Sequence, residues 1–248
     1  MRLFTTKIAE QVINRGWYVA THEHTNHEGN VVVEQDIALD YDYCLPEAMG
    51  MLVDWQQKFC SFQANFKRID PEVAGKMARI CCDYMFLPKL GALGVSEARR
   101  LSHSTEHILT IGIQTEPAPD VMAALFDPLR ESWIDLKLST LSVENARILA
   151  NHPNEFYLEL PFKELTPTVT AILSGHIGYR INLRLTEFDG IKAHAGEVLE
   201  ILSRTPFKRA VCVYLDDNVV RYESEERDWG RWKRRLDRRK QVNDQIAG

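Results

Sequence analysis

The chain has no uninterrupted apolar run approaching the roughly 18–20 residues that a membrane-crossing helix requires, so no membrane span is expected. Its start, Met1-Arg2-Leu3-Phe4-Thr5-Thr6-Lys7, lacks the apolar stretch and small-residue cleavage site of a secretory leader, and the expected location is cytoplasmic. Cysteine is sparse. Cys44, Cys60, Cys81, Cys82 and Cys212 are odd in number and never spaced C-x-x-C, which argues against a disulfide framework and a structural zinc site. Neighbouring Cys81 and Cys82 are badly placed to bridge each other, and all five read as reduced core thiols. Also missing are G-x-S-x-G, Walker-type, H-E-x-x-H and G-x-G-x-x-G sequences. The acid pairs Glu225-Glu226 and Asp216-Asp217 sit in charged stretches where nothing raises a carboxylate pKa toward neutrality. No catalytic residue and no cofactor is therefore expected, and the chain reads as a non-enzyme.

What is present is repetition. Of 248 residues, 45% are apolar, enough for a sizeable core. Eight short apolar stretches recur, marked by Leu39, Phe62, Leu87, Ile111, Leu136, Leu158, Leu183 and Val213, at spacings of 22 to 30 residues. The unit is plainest at Ile134-Asp-Leu-Lys-Leu138, whose strict alternation is that of a half-buried strand. Ser142 then reads as an N-cap, Ala146 and Leu149 as a helical stripe, and Asn151-His152-Pro153-Asn154 as a breaker. Phe156-Tyr-Leu-Glu-Leu160 with Leu165-Thr166-Pro167, and Ile181-Asn-Leu-Arg-Leu185, repeat the pattern. Asp70-Pro71-Glu72, Leu45-Pro46-Glu47 and Pro119-Asp120 read as helix starts, because proline is tolerated in the first turn and an acid meets the positive end of the dipole. Units of this kind cannot bury their apolar faces alone and must stack.

The alternating Leu-x-Leu strand followed by a helix carrying Ala-x-x-Leu resembles the leucine-rich repeat family, in an irregular bacterial form, over about three quarters of the chain. The resemblance implies an α/β solenoid with a parallel sheet on the concave side and helices outside. It departs from the family pattern where an Asn or Cys should follow the strand, since Leu90, Leu141 and Phe188 stand there. An ordinary α/β domain also alternates strands and helices. The near-constant spacing and the recurring Ala, which lets a helix approach the strands closely, favour the solenoid.

The expected organisation is an N-terminal cap over residues 1–35, about eight repeats over 36–216, and a basic amphipathic helix over 217–248. In the cap, a helix over residues 3–15 stopped by Gly16 precedes two strands, Trp17-Tyr-Val19 and Val31-Val-Val33. His22, His24 and His27 fall in the loop between them. They are either the metal ligands of a metal-dependent enzyme or a solvated hairpin tip, and the run matches no zinc signature. At the other end, residues 227–240 hold eight Lys or Arg against Asp228 and Asp237, a charge of +6 that leaves −11 elsewhere. Arg231, Lys233, Arg234, Arg235, Arg238, Arg239 and Lys240 would contact phosphates if this segment binds nucleic acid. The other reading is a cap whose Trp229 and Trp232 close the last repeat.

Alternation also assigns the concave surface: Thr110, Gln114, Asp135, Lys137, Tyr157, Glu159, Asn182, Arg184, Tyr214 and Asp216. Of these, Asp135, Lys137, Tyr157, Glu159, Asn182, Arg184 and Tyr214 form the expected partner-binding surface, centred on Tyr157, Arg184 and Tyr214, because Tyr and Arg dominate binding hot spots. The competing reading is that Lys137, Glu159 and Arg184 neutralise one another across adjacent strands. The first function expected is thus recognition of another protein, as an adaptor or an inhibitor.

Overall fold

Each marked apolar stretch lies in a strand of an α/β fold, as seen in a computed structural model describing residues 1–16, 18–25, 31–55, 58–103, 108–113, 115–127, 134–177, 181–186, 197–198, 200–201 and 211–215. The chain divides into two compact units, Met1–Lys137 and Leu138–Gly248. In order, the first unit holds β1 (Leu3–Phe4), α1 (Thr6–Arg15), β2 (Val19–Thr25), β3 (Val31–Leu39), β4 (Tyr43–Cys44) and α2 (Pro46–Asp54). Then come β5 (Phe59–Ala64), α3 (Pro71–Met77), β6 (Cys82–Leu90), α4 (Val95–Ser102), β7 (Ile108–Ile113), α5 (Pro119–Leu125) and all but the last residue of β8 (Ile134–Leu138). The second unit holds α6 (Val143–Ala150), β9 (Phe156–Pro161), α7 (Pro167–Ser174), β10 (Ile181–Thr186) and β11 (Val211–Leu215).

In the first unit the strands run in the order β2-β3-β5-β6-β7. The hairpin β2–β3 is antiparallel and every later pairing parallel, as helical crossovers require. β3 is longer than the sequence suggests. It serves both as the second arm of the hairpin and as the first strand of the parallel run, so His22 and His24 lie in a strand, opposite Glu34 and Val32, and not in a loop. Register corrects one marker: Phe62 faces Ile37 and Met85, which leaves Ala64 opposite Leu39. Ala64 is fully buried and does the work assigned to Phe62, hidden in the sequence by its small size.

The helices start where the sequence marks them. Asp70 caps α3 by accepting the Val73 N–H at 2.8 Å, while Ser142 and Thr166 cap α6 and α7. Gly16 ends α1 with φ of 64°, a conformation cheap only for glycine. Consecutive helices α1 to α5 pack against one another as a layer, and α6 packs on α7. The recurring small residue has the expected role: Ala48, Ala74, Ala98 and Ala146 are all fully buried on the inner helix face. Beside them lie Met49, Met77, Leu101 and Leu149, also fully buried, each large side chain contributing about 1.5–3 kcal/mol relative to exposure. Leu90 and Leu141 are buried as well.

Two further expectations fail. Thr110, assigned to the concave surface, is only 7% exposed. Its neighbour Gly112 explains the tight geometry: β6 shifts register between Leu87 and Leu90, bringing the Pro88 carbonyl so close that a Cβ at Gly112 would stand 2.5 Å from the oxygen. Cys81, assigned to the core, is exposed and Cys60 half-buried, whereas burial pushes the thiols of Cys44 and Cys82 up to about 12. Gln114, Asp216 and residues 217–248 lie outside the described residues.

Candidate functional site

In the second unit the candidate surface is built on three parallel strands in the order β9-β10-β11. Phe156, Leu158 and Leu160 of β9 and Ile181, Leu183 and Leu185 of β10 are buried, so the alternating positions occupy the other face. Register assembles those positions into two rows. Tyr157 stands opposite Asn182, which stands opposite Cys212; Glu159 stands opposite Arg184, which stands opposite Tyr214. Five of the expected partner-binding residues are thus neighbours, with Cys212 as an unforeseen sixth position.

Electrostatics qualify that surface. An Arg184 guanidinium nitrogen lies 3.2 Å from Glu159 Oε2, with the two side chains 53% and 21% exposed. A pair this open adds about 0–1 kcal/mol to stability. It nevertheless engages Arg184, which is the neutralisation that cross-strand alternation allowed. Tyr157 is half-buried, offering part of its ring and leaving the rest packed. Asp135 and Lys137 are half-buried residues of β8, alternating with buried Ile134, Leu136 and Leu138 as expected.

The first unit presents a second set of side chains on its helix-free face. Asp36 of β3, Ser61 of β5 and Tyr84 of β6 form one row, and Gln63 and Phe86 the next. Tyr84 and Phe86 stack with ring centroids 6.3 Å apart and an interplanar angle of 13°. Tyr84 is 42% exposed. Sequence reasoning passed over both, although Tyr84-Met85-Phe86-Leu87 alternates two buried aliphatic side chains with two aromatics on the opposite face. Asp36 accepts from the Ser61 N–H at 3.0 Å and the Ser61 hydroxyl at 2.6 Å, and lies 3.1 Å from His22 Nε2. The carboxylate stands between serine and histidine. A nucleophile relay needs the imidazole in the middle, so this order makes a structural cross-brace and no activated serine.

His22 is thus engaged by Asp36, while His27 lies outside the described residues, as do Arg231, Lys233, Arg234, Arg235, Arg238, Arg239 and Lys240. Among the described residues no group of three or more His, Cys, Asp or Glu is arranged to hold a metal ion. Two other histidines take a structural place: His152 and His176 are buried and meet the ring of Phe156 edge-on, at 6.1 and 5.4 Å, and His176 Nδ1 lies 3.2 Å from the Ala150 carbonyl.

Near the carboxyl end of β3, cations gather around two carboxylates, Asp40 and Asp42. Lys67 and the backbone N–H of Arg2 hold Asp42 well below the usual carboxylate range, at about 2, and Arg2, Asn65 and Lys89 surround Asp40. Close by, burial and a 2.8 Å hydrogen bond to Tyr18 push the Tyr41 phenol up to about 12. These groups stitch the strand ends together. Among the described residues no helix is long and apolar enough to cross a membrane. Comparison with protein-family models, with curated proteins and with solved structures found no match to this chain.

Proposed function

We propose that the chain is a non-enzymatic, leucine-rich-repeat-like solenoid that captures another protein on the helix-free, concave face of its sheet, as an adaptor or an inhibitor. The observation that carries the reading is the aromatic material on that face: exposed Tyr84 stacked on half-buried Phe86 in the first unit, and half-buried Tyr157 in the second. A solvated sheet face needs no aromatic stack, and aromatic side chains with a polar tip are the common anchors of protein interfaces. Arg184, held by Glu159, contributes as part of a pair and would exchange that partner on binding.

The test is affinity capture from nuclease-treated native lysate with the intact protein, a Tyr84→Ala, Phe86→Ala variant, and a Tyr157→Ala, Arg184→Ala variant. Expected is one stoichiometric protein, at least tenfold depleted with a variant that keeps its circular dichroism, a loss of about 1.4 kcal/mol or more. Equal recovery with all three proteins overturns the choice of face. A second reading rests on charge: the +6 carried by residues 227–240 suits a polyanion, and nucleic-acid binding that weakens steeply with salt and disappears on removal of 227–248 would move the function there.

A further inference from the structure

The helix layer of the first unit holds an open cleft of about 660 Å³ between α3 and α4, remote from the sheet face and independent of the function proposed above. Its charged and polar lining is Arg79, Arg99, Arg100, His103 and Ser96, with no carboxylate among the residues around it. The chain as a whole carries −5, and several cations elsewhere in the described residues are engaged: Arg2 by Asp40, Lys58 by Asp83, Lys67 by Asp42, Lys76 by Glu72 and Arg184 by Glu159. Among the described residues, none of the three cleft guanidinium groups has a carboxylate within ion-pair distance. Three arginines thus converge unneutralised on one concavity of an acidic protein.

The backbone accommodates this convergence. Gly75 of α3 has no side chain, and the Arg100 guanidinium lies over it so closely that an added Cβ would stand 3.0 Å from one of its nitrogens. The same device recurs one repeat earlier, where Lys76 crosses Gly50, but there Lys76 bonds to Glu72 and the Pro46 carbonyl and is spent. Helix ends account for part of the arrangement, since a cation after α3 and in the last turn of α4 suits the negative end of each dipole. That effect acts on each cation at its own helix end. It does not account for three beside an exposed serine and histidine on the same concavity.

We propose that this cleft binds a small anion carrying two or more phosphate groups. Guanidinium forks match phosphate oxygens bidentately, and three of them supply more donors than one phosphate can use. The volume lies in the range of small-molecule sites, roughly 300–1,000 Å³, larger than a lone phosphate needs. A long polyanion is disfavoured by the chain's overall charge of −5.

Isothermal titration calorimetry with inorganic pyrophosphate tests the site, using the intact protein, an Arg79→Gln, Arg99→Gln variant, and an Arg68→Gln control at an exposed arginine outside the cleft. Arg79 and Arg99 have exposed side chains, so the double variant is expected to keep its melting temperature. The proposal requires saturable one-to-one binding of pyrophosphate, tighter than that of orthophosphate, weakened at least about tenfold in the double variant and unchanged in the control. Equal affinity in all three proteins, or no saturable binding at millimolar pyrophosphate, overturns it. So does an outcome in which only a long polyanion such as heparin binds through these arginines.

Discussion

A single hydrogen atom at Gly112 decides whether β6 and β7 can pair across the shifted register. A methyl group there meets the Pro88 carbonyl oxygen at 2.5 Å and its carbon at 3.0 Å, and both are backbone atoms with no rotamer to escape into. Gly112→Ala is therefore expected to destabilise the protein by about 1–3 kcal/mol, the usual cost of overpacking, read from the denaturant midpoint at unchanged slope. Asp42 acts through charge. Its folded pKa lies near 2, chiefly because Lys67 donates to it, against an ordinary 3.8. A depressed carboxylate stabilises the fold above the unfolded value and loses that contribution as pH falls through the folded one. The stability gap between the parent and Asp42→Asn should thus be widest above about pH 4 and close toward about pH 2, in denaturant melts across that window. A gap independent of pH would mean that Asp42 contributes shape and no charge.

At the scale of elements, strand existence and helix starts were legible because each rests on local chemistry. Ile134-Asp-Leu-Lys-Leu138 alternates as a half-buried strand must, and Asp70, Ser142 and Thr166 carry side chains that satisfy N–H groups a helix leaves open. Asp70→Ala should accordingly cost about 1 kcal/mol, with a matching drop in the urea midpoint, whereas substitution at Leu45, which makes no side-chain cap bond to α2, should show no capping loss. Register was illegible, because it depends on which residues meet across strands. Phe62 looked like the counterpart of Leu39 until pairing placed Ala64 there. The candidate surface was half legible for the same reason. Alternation put Tyr157, Glu159, Asn182, Arg184 and Tyr214 on one face, but the burial of Thr110 depends on tertiary surroundings that no pattern within β7 records. Tyr84 and Phe86 obey the same alternation, opposite buried Met85 and Leu87.

For the molecule taken through its first unit, the notable property is that strands pair with the next strand of the array, and helices α1 to α5 pack consecutively. Under the repeat reading proposed above, contacts of that kind make stability a sum of units and nearest-neighbour interfaces. A compact α/β domain of ordinary topology distributes a local loss over its whole core, because helices on both faces share neighbours. An array confines it. Val12 of α1 is fully buried, and α1 packs on α2. Val12→Ala should remove about 1–3 kcal/mol, and the loss should be graded along the chain. Native-state hydrogen exchange followed by mass spectrometry is expected to show amides of α1 and α2 exchanging faster while β6 and β7 keep their protection. Uniform acceleration from α1 through β7 would instead identify a single cooperative unit, and the repeat description would then hold for the sequence and not for the energetics.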